Sequence, residues 1–329
     1  MKIEKEAMFY RKLDRDYVKC DLCPHDCQIP DGKVGRCRVR KNEEGTLYSL
    51  NYGKITSFAL DPIEKKPLYH FYPGSRILSI GSFGCNLTCS FCQNWQIAHR
   101  EPEATYVTPE QLVQAAQAHK DHIGIAYTYN EPSIWYEFIY ETAPLIHAAG
   151  MKNVLVTNGF IKEAPLRKLL PHIDAMNIDL KGFTNDFYKD LCGGALTPVK
   201  ETIETAFKSC HMEITTLLVS ESNDSFEEIE GLAKWIGSIS REIPLHLSRY
   251  FPAYKMELPP TPMNLMKEAE TIAKKYLDYV YLGNIAGVDR NTYCPQCREE
   301  IVHRDLIIKV QSLDGKKCKK CNKPISIVY

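Results

Sequence analysis

The chain has 329 residues, of which 44% are hydrophobic and 25% are charged, which is the composition of a folded globular protein rather than a disordered one. Lys and Arg together number 41, as do Asp and Glu, so the formal net charge is zero and no global field favours nucleic acid or an anionic membrane. No apolar run reaches the ~18 residues of a membrane span, and residues 1–6 lack the apolar stretch of a signal peptide, so we expect a cytoplasmic protein without a membrane partner.

Thirteen cysteines are the most informative part of this composition. In a chain without a secretory signal they favour a reducing compartment and metal ligation over disulfides. Cys192 and Cys210 stand alone, and the other eleven form three groups: Cys20, Cys23, Cys27 and Cys37; Cys85, Cys89 and Cys92; and Cys294, Cys297, Cys318 and Cys321.

Residues 1–70 are predicted to form a cysteine-rich head. Turn-forming residues are frequent in it, and a hairpin is predicted over residues 47–60 around Asn51-Tyr52-Gly53. Its four cysteines have the spacing C-x2-C-x3-C-x9-C, which suits either zinc or a second 4Fe–4S cluster, and His25 could replace one thiolate. The spacing does not decide between the two, and zinc is our first interpretation.

Residues 71–288 alternate between strand and helix patterns. The predicted strands are mostly continuous apolar runs, typical of a parallel sheet covered on both faces, at 77–80, 123–129, 153–157, 175–180, 213–219, 245–250 and 279–283. Capping residues predict helices that start after Thr108 and Ser225, and a third helix is predicted over 263–276. This alternation predicts a parallel α/β barrel or open sheet, with the chemistry at the carboxyl ends of the strands.

The first of these strands is followed by Cys85, Cys89 and Cys92 in the spacing C-x3-C-x2-C. An iron–sulfur cluster normally takes four thiolates. Three thiolates on one loop would hold three irons of a 4Fe–4S cube and leave the fourth iron open to a chelating ligand, as catalytic metal sites keep one position open. The alternatives are a structural zinc knuckle and three unrelated buried thiols.

Polar residues follow the carboxyl ends of the later predicted strands. Asp179 and Lys181 are two residues apart, so on a strand they share one face, where a buried ion pair needs a partner or ligand to offset its desolvation. The structural alternative is an ion pair at the rim of a barrel. The other candidates are Asn130, Glu131, Thr157, Asn158, Thr215, Thr216, His246, Gly283 and Asn284.

Residues 289–329 carry Cys294, Cys297, Cys318 and Cys321 in the spacing C-x2-C-x20-C-x2-C, the pattern of a zinc ribbon. Four thiolates close a tetrahedral site, so the metal is expected to fold a tail too short for its own core. A rubredoxin-type iron is the alternative. Lysines make the tip of the ribbon basic, which suits an acidic partner or RNA, although a solvated surface is the simpler interpretation.

The order of these motifs resembles the radical S-adenosylmethionine (SAM) superfamily. More narrowly, Cys20-Asp21-Leu22-Cys23-Pro24-His25-Asp26-Cys27, the loop ending Cys92-Gln93-Asn94, and Tyr129-Asn130-Glu131-Pro132 resemble the radical SAM component of the AmmeMemoRadiSam system, which is related to pyruvate formate-lyase activating enzymes. The resemblance covers about residues 15–290. It implies an α/β fold, a radical SAM partial (β/α)6-type barrel, here with an N-terminal cysteine-rich segment and a C-terminal zinc ribbon.

The resemblance also implies cofactors and site residues. SAM would chelate the open iron of a 4Fe–4S cluster on Cys85, Cys89 and Cys92, and its reductive cleavage would give a 5′-deoxyadenosyl radical that abstracts hydrogen from a substrate. Phe91 is expected to shield the cluster and approach the adenine, and Asp179 and Lys181 to lie near the SAM carboxylate and a monovalent cation. The remaining expected SAM contacts are Asn130, Glu131, Thr157, Asn158, His246, Gly283 and Asn284. Tyr129 and Asn130 depart from the two glycines of the family motif.

Three functions remain open from the sequence. The first is an activase-like enzyme that modifies a protein, which predicts an accessible cavity mouth. The second is a radical SAM enzyme acting on a small molecule or RNA, and the third is a non-enzymatic scaffold for zinc and an iron–sulfur cluster. The implied partners are a one-electron reductant of the ferredoxin or flavodoxin type and the companion proteins of the AmmeMemoRadiSam system.

Overall fold

The computed structural model describes residues 5–329 of the chain. The head consists of short antiparallel strands in two three-stranded sheets and one strand pair. The first sheet contains Lys5–Glu6, Arg40–Glu43 and Thr46–Ser49, the second contains Tyr10–Lys12, Val18–Cys20 and Gln28–Ile29, and the pair is Lys54–Ile55 with Thr105–Tyr106.

The hairpin predicted over residues 47–60 does not form. Thr46–Ser49 is paired on both of its edges, by Lys5–Glu6 and by Arg40–Glu43, so no edge remains for the segment that follows. Gly53 turns the chain with a φ of +68°, but the next long strand, Ser57–Pro62, pairs with Arg76–Gly81 instead. Turn residues therefore locate the bend without identifying the partner of the strand.

An eight-stranded sheet forms the body of the molecule, and its strands lie side by side in chain order. They are β1 (Ser57–Pro62), β2 (Arg76–Gly81), β3 (Gly124–Tyr127), β4 (Lys152–Thr157), β5 (Ala175–Asp179), β6 (His211–Leu218), β7 (Leu245–Arg249) and β8 (Val280–Gly283). β1 is antiparallel to β2, whereas β2 to β8 are all parallel. Each parallel connection must cross over a face of the sheet, so all the carboxyl ends of β2 to β8 meet at one edge.

Helices fill the connections between the parallel strands. They are α1 (Pro109–Ala118), α2 (Tyr136–Ala148), α3 (Glu163–Leu169), α4 (Leu196–Phe207), α5 (Phe226–Ile239) and α6 (Met263–Ala273). Single turns occur at Ile63–Lys65, Trp95–Ala98, Pro132–Trp135, Leu170–His172 and Asn185–Phe187, and a π turn spans Tyr188–Cys192. The predicted start of α1 is confirmed: Thr108 Oγ1 accepts from the Gln111 amide at 3.2 Å, and the Gln111 side chain accepts from the Thr108 amide at 2.9 Å.

The head and the sheet share one hydrophobic core, in which Val39 and Leu47 of the head belong to the same cluster as Leu78 and Ile139 of the sheet layer. The ribbon has a small core of its own. Its strands are Thr292–Tyr293, Glu300–Arg304 and Ile308–Val310 in one antiparallel sheet, with Leu313–Asp314 paired to Lys317–Cys318. No helix among residues 5–329 combines the length and the hydropathy needed to cross a membrane.

The ribbon packs against the amino ends of the parallel strands. The Val328 amide donates to the His70 carbonyl at 2.8 Å, and Arg304 Nη2 donates to the Tyr69 carbonyl at 2.5 Å. The amides of Tyr69 and His70 in turn donate to Glu213, near the start of β6, at 2.9 and 2.7 Å. The ribbon therefore lies at the opposite end of the sheet from the carboxyl ends of the strands.

Candidate functional site

A cavity opens at the carboxyl ends of the parallel strands, where α/β enzymes place their chemistry. Its volume is about 360 Å³, which lies within the ~300–1,000 Å³ range of small-molecule sites. Eleven of the residues singled out in the sequence line it: Cys85, Cys89, Phe91, Cys92, Asn130, Glu131, Asn158, Asp179, Lys181, Thr215 and Asn284. The fold therefore gathers the loops that follow β2 to β5 and β8 around one space.

The loop that carries Cys85, Cys89 and Cys92 packs directly against the head. Gly84 has a φ of +87°, and a Cβ at this position would lie 2.8 Å from the carbonyl oxygen of Cys37. Only glycine tolerates both the backbone conformation and this close approach. The three thiols are half-buried to buried, so the loop presents soft ligands in a partly desolvated site.

The opposite side of the same loop is held by the π turn Tyr188–Cys192. The Thr88 amide donates to the Cys192 carbonyl at 2.8 Å, and the Ser90 amide donates to the Leu191 carbonyl at 2.9 Å. Such π turns often occur at functional sites. The Cys192 thiol also hydrogen-bonds to Cys89 and thereby lowers the pKa of the Cys89 thiol. The sequence left Cys192 without a role, because its neighbour is about a hundred residues away in the chain.

Glu131 is a buried carboxylate that joins two strand ends. Its Oε1 accepts from Thr157 Oγ1 at 2.6 Å and from the Ser133 amide at 2.9 Å, and its Oε2 accepts from the Asn158 amide at 2.8 Å. Burial raises the pKa of Glu131, and these donors oppose that rise. A carboxylate has roughly four acceptor positions, so about one remains for a ligand in the cavity.

Asn158 extends this network to the cysteine loop. Its Nδ2 donates to Asn86 Oδ1 at 2.9 Å and lies 3.7 Å from Cys85 Sγ. The Asn86 side chain donates to the Phe160 carbonyl at 2.7 Å. The loops after β2, β3 and β4 are therefore connected by a continuous set of hydrogen bonds.

Asp179 and Lys181 form an ion pair at 3.0 Å, on the cavity side as their spacing predicts. Although burial opposes protonation, the carboxylate of Asp179 and the thiols of Cys89 and Cys192 hold the pKa of Lys181 well above its usual range. The Lys181 ammonium is thus a permanent positive charge beside the cysteine loop.

Four predicted site residues do not line the cavity. Thr157 lies behind Glu131, and the Thr216 hydroxyl turns to the Leu180 carbonyl at 2.8 Å because neighbouring strand residues face opposite sides. His246 is the second residue of β7, near its amino end, and its Nε2 lies 2.7 Å from Glu213 Oε2. A Cβ on Gly283 would lie 2.8 Å from Ser248 Oγ, so this glycine makes room for a neighbouring strand.

The sequence did not reveal three basic residues of the cavity wall, Lys65, Lys66 and His99. Lys66 Nζ donates to Asp61 Oδ2 at 2.9 Å and lies 4.7 Å from the centre of the Tyr129 ring. The Tyr129 hydroxyl donates to the same carboxylate oxygen at 2.8 Å. Tyr129 adopts a φ of +72°, a conformation that glycine occupies more easily, and these contacts hold it there. The sequence offered one hint of this arrangement: Tyr129 stands where the family motif has a glycine.

The three cysteine groups differ in how closely their thiols approach one another. In the ribbon all four sulfur atoms lie within 4.8 Å of one another, with Cys294 and Cys321 at 3.5 Å and Cys297 and Cys318 at 3.6 Å. Among residues 5–329 no other three thiols gather this closely. The ribbon therefore fits a single metal ion.

The thiols of the cavity loop, Cys85, Cys89 and Cys92, do not gather within 4.8 Å of one another as the ribbon thiols do. The three cavity thiols face a space lined by Asn158, Asp179 and Lys181, which offer both donors and acceptors to a zwitterionic ligand. His99 Nε2 is buried and has no hydrogen-bond partner among the described residues. A buried polar atom of this kind normally has a partner, so the cavity is suited to a polar ligand.

Comparisons with known proteins agree with this arrangement. A family model described as "Radical SAM superfamily" matches residues 79–236. "Uncharacterized protein MJ0808" of Methanocaldococcus jannaschii is 44% identical over 335 residues, which cover 98% of this chain and 99% of that protein. "Putative glycyl-radical enzyme activating enzyme MJ1227" of the same organism is 28% identical over 236 residues, covering 66% of this chain and 92% of that protein. The crystal structure of Streptococcus suis SuiB bound to S-adenosylmethionine is similar in fold, with a TM-score of 0.50 and 15% identity over 60% of this chain and 47% of that chain.

Proposed function

Since the chain belongs to the radical SAM superfamily, we propose that it is an enzyme that cleaves SAM reductively at a 4Fe–4S cluster held by Cys85, Cys89 and Cys92. When bound, the cluster and SAM supply a 5′-deoxyadenosyl radical that abstracts hydrogen from the substrate. The observation that carries the proposal is the cavity itself, in which the three thiols face Asn158, Asp179 and Lys181. A non-enzymatic scaffold has no need of a half-buried ion pair beside its metal ligands.

The residues of the cavity divide the work of holding SAM. Lys181 attracts the SAM carboxylate, and Asp179 keeps Lys181 in place and offers a carboxylate oxygen to a monovalent cation. Asn130 and the remaining acceptor position of Glu131 would hold the SAM amino group. Phe91, buried and with its ring centre 5.8 Å from that of Phe187, excludes water from the cysteine loop, and Asn284, which lines the cavity, would contact the adenine.

We propose that the sheet and its helices form a partial (β/α)6-type barrel, to which β1 adds an antiparallel edge strand. Lys65, next to β1, and Asn284, after β8, line the same cavity although β1 and β8 are opposite edges of the sheet. Such an arrangement suits a sheet that curves around the cavity. Within this fold we infer three segments: a head over residues 1–70, whose last part contributes β1 to the sheet, a barrel over 71–288 and a zinc ribbon over 289–329.

The substrate is proposed to be a protein, as for an activating enzyme. The name of MJ1227 and the open mouth of the cavity support this class, and the motif order adds the companion proteins of the AmmeMemoRadiSam system as partners. A ferredoxin- or flavodoxin-type protein in the cytoplasm would deliver the single electron.

SAM cleavage tests the proposal directly. Anaerobically reconstituted protein is reduced with dithionite, supplied with SAM and assayed for 5′-deoxyadenosine. Cys89→Ala should abolish the product and lower the iron content by about four per chain. Cys210→Ala, which removes a thiol outside the three groups, should change neither. If the wild type binds iron and leaves SAM intact, the proposed function is wrong.

The class of substrate is tested by the origin of the abstracted hydrogen. A uniformly deuterated extract of the source organism is separated by size, treated with nuclease, and supplied to the enzyme with unlabelled SAM. Deuterium in 5′-deoxyadenosine should come from the protein fraction. If only the small-molecule fraction transfers deuterium, the substrate is a small molecule and the activase assignment fails.

A further inference from the structure

We infer that Cys20, Cys23, Cys27 and Cys37 bind a second 4Fe–4S cluster, rather than zinc. The four side chains line one small pocket of the head, with a volume of about 10 Å³. Leu22, Ile29 and Ile134 complete its wall, so the space is apolar apart from the thiols and two arginines. The fold therefore brings four soft ligands together around one point.

The separation of the thiols argues for a cluster. Zinc binds each thiolate at about 2.3 Å, which in a tetrahedron brings the sulfur atoms to roughly 3.8 Å from one another. The ribbon has this geometry, with two sulfur pairs at 3.5 and 3.6 Å. In the head no three thiols lie within 4.8 Å of one another, as is also true of Cys85, Cys89 and Cys92. In a 4Fe–4S cube each thiolate binds a different iron, so the ligands stand farther apart.

The sequence spacing agrees with this geometry. Structural zinc sites usually combine two well-separated cysteine pairs, as the ribbon does. In the head three of the four cysteines fall within the eight residues 20–27, and only Cys37 is distant. Closely spaced cysteines followed by one remote cysteine are typical of iron–sulfur ligation.

A buried cation beside the site suits an anionic cluster. Arg40 is only 1% exposed, and its Nη1 donates to Cys20 Sγ at 3.4 Å and to the Met8 carbonyl at 2.9 Å. Its Nη2 pairs with Glu137 of α2, which is fully buried. Arg40 thus gives the Cys20 sulfur a charged hydrogen-bond donor, while Glu137 balances the charge of the guanidinium.

The head site touches the loop of the candidate active site at two points. Gly84, directly before Cys85, packs on the Cys37 carbonyl, and His25 Nε2 lies 2.7 Å from the Asn86 carbonyl. A cluster in the head would therefore be in contact range for electron exchange with the active-site loop. This placement rests on the proposed function, whereas the metal assignment does not.

Metal analysis of a variant that leaves the head intact tests the inference. The triple variant Cys85→Ala, Cys89→Ala, Cys92→Ala of the full chain is reconstituted anaerobically, and iron, acid-labile sulfide and zinc are measured. We expect about four irons, about four sulfides and about one zinc per chain, with a 4Fe–4S electron paramagnetic resonance signal after reduction. The further change Cys23→Ala should remove the iron and the signal, and Cys210→Ala in its place should retain both.

Two results would overturn the inference. About two zincs without iron in the triple variant would assign zinc to the head, and the absence of both iron and a second zinc would leave the head without metal. Neither result bears on the proposed function, because wild-type protein would still form 5′-deoxyadenosine. Conversely, a head cluster in a protein that leaves SAM intact would contradict only the proposed function.

Discussion

Acidification should destabilise this protein through His70, which lies fully buried between the sheet and the ribbon. Its Nε2 lies 2.7 Å from the Tyr281 hydroxyl and its Nδ1 lies 3.1 Å from the Ser326 carbonyl. A neutral imidazole satisfies both contacts, with Nδ1 donating and Nε2 accepting. Burial lowers the pKa of His70 to about 3; Glu213 opposes this shift, while Arg304 and His211 add to it.

The size of the effect follows from proton linkage. An unfolded histidine has a pKa of about 6.5, so below that pH the unfolded chain takes up a proton that the folded chain refuses. The contribution of His70 to stability is therefore complete above about pH 6.5 and is lost as the pH falls towards about 3. Each pH unit costs about 1.4 kcal/mol, so a change from about pH 7.5 to about pH 5 removes about 2 kcal/mol from the free energy of unfolding.

The assay is urea unfolding of wild type and His70→Gln at a series of pH values. Glutamine keeps a donor and an acceptor but does not titrate in this range, so the variant should lose about 2 kcal/mol less than wild type between about pH 7.5 and pH 5. Replacing the exposed His119 by glutamine is the matched control and should reproduce the wild-type slope. If wild type and His70→Gln lose the same free energy, His70 is not held neutral and the reasoning fails.

Three further predictions concern the head and the ribbon. Gly84→Ala should destabilise the protein by roughly 3 kcal/mol or more, because it adds steric overlap to an unfavourable φ. The control Gly150→Ala, at a φ of +76°, has no atom within 4 Å of the added Cβ and should cost only about 1–2 kcal/mol. Both losses are measured by urea unfolding. Equal losses in the two variants would show that the contact of the head with Gly84 is not tight. Arg40→Met should lower the free energy of unfolding by about 3–5 kcal/mol, because it leaves the Glu137 carboxylate buried without its partner. Adding Glu137→Met should recover most of that loss. If the double variant recovers nothing, packing rather than charge determines the contribution of Arg40. Cys297→Ser should lower the zinc content by about one per chain while 5′-deoxyadenosine formation persists, since the ribbon lies at the other end of the sheet. Loss of product would contradict that separation.

The sequence could reveal those parts of the site whose residues lie close together along the chain. The ligands of each cysteine group lie on short loops or paired turns, so their distances along the chain carry the information. The polar residues at the strand ends were also predictable from the sequence, because each lies at or just after the end of a buried apolar run. Parallel strands bring such positions to one edge of the sheet, where the cavity is lined by Glu131, Asn158, Asp179 and Lys181.

Contacts between distant segments were beyond the sequence. Lys66 reaches the cavity only because β1 pairs antiparallel with β2, and nothing in the pattern of β1 names that partner. His246 shows a second limit, since alternation predicts the face of a strand but not the depth along it. His246 and Ser248 are two residues apart and share one face of β7. Only Ser248 is far enough along the strand to line the cavity, whereas His246 contacts Glu213.

The metal of the head shows a third limit. Cysteine spacing allows both zinc and a cluster, because both need thiolates on tight turns. The separation of the sulfur atoms is the property on which our proposal rests, and it depends on contacts between distant segments such as that of Arg40 with Cys20 and Glu137. Our first interpretation, zinc, is therefore replaced by the proposal of a cluster.

The contact between His70 and residues 326–328 also has a consequence for folding during synthesis. Every residue that lines the cavity lies at or before Asn284, so the cavity wall can leave the ribosome while the ribbon is still inside the exit tunnel. In that nascent chain His70 Nδ1 has no Ser326 carbonyl to bond, and the imidazole is open to water. The amino ends of the strands are covered only when residues 326–328 emerge, so maturation should proceed from the carboxyl ends of the strands to their amino ends.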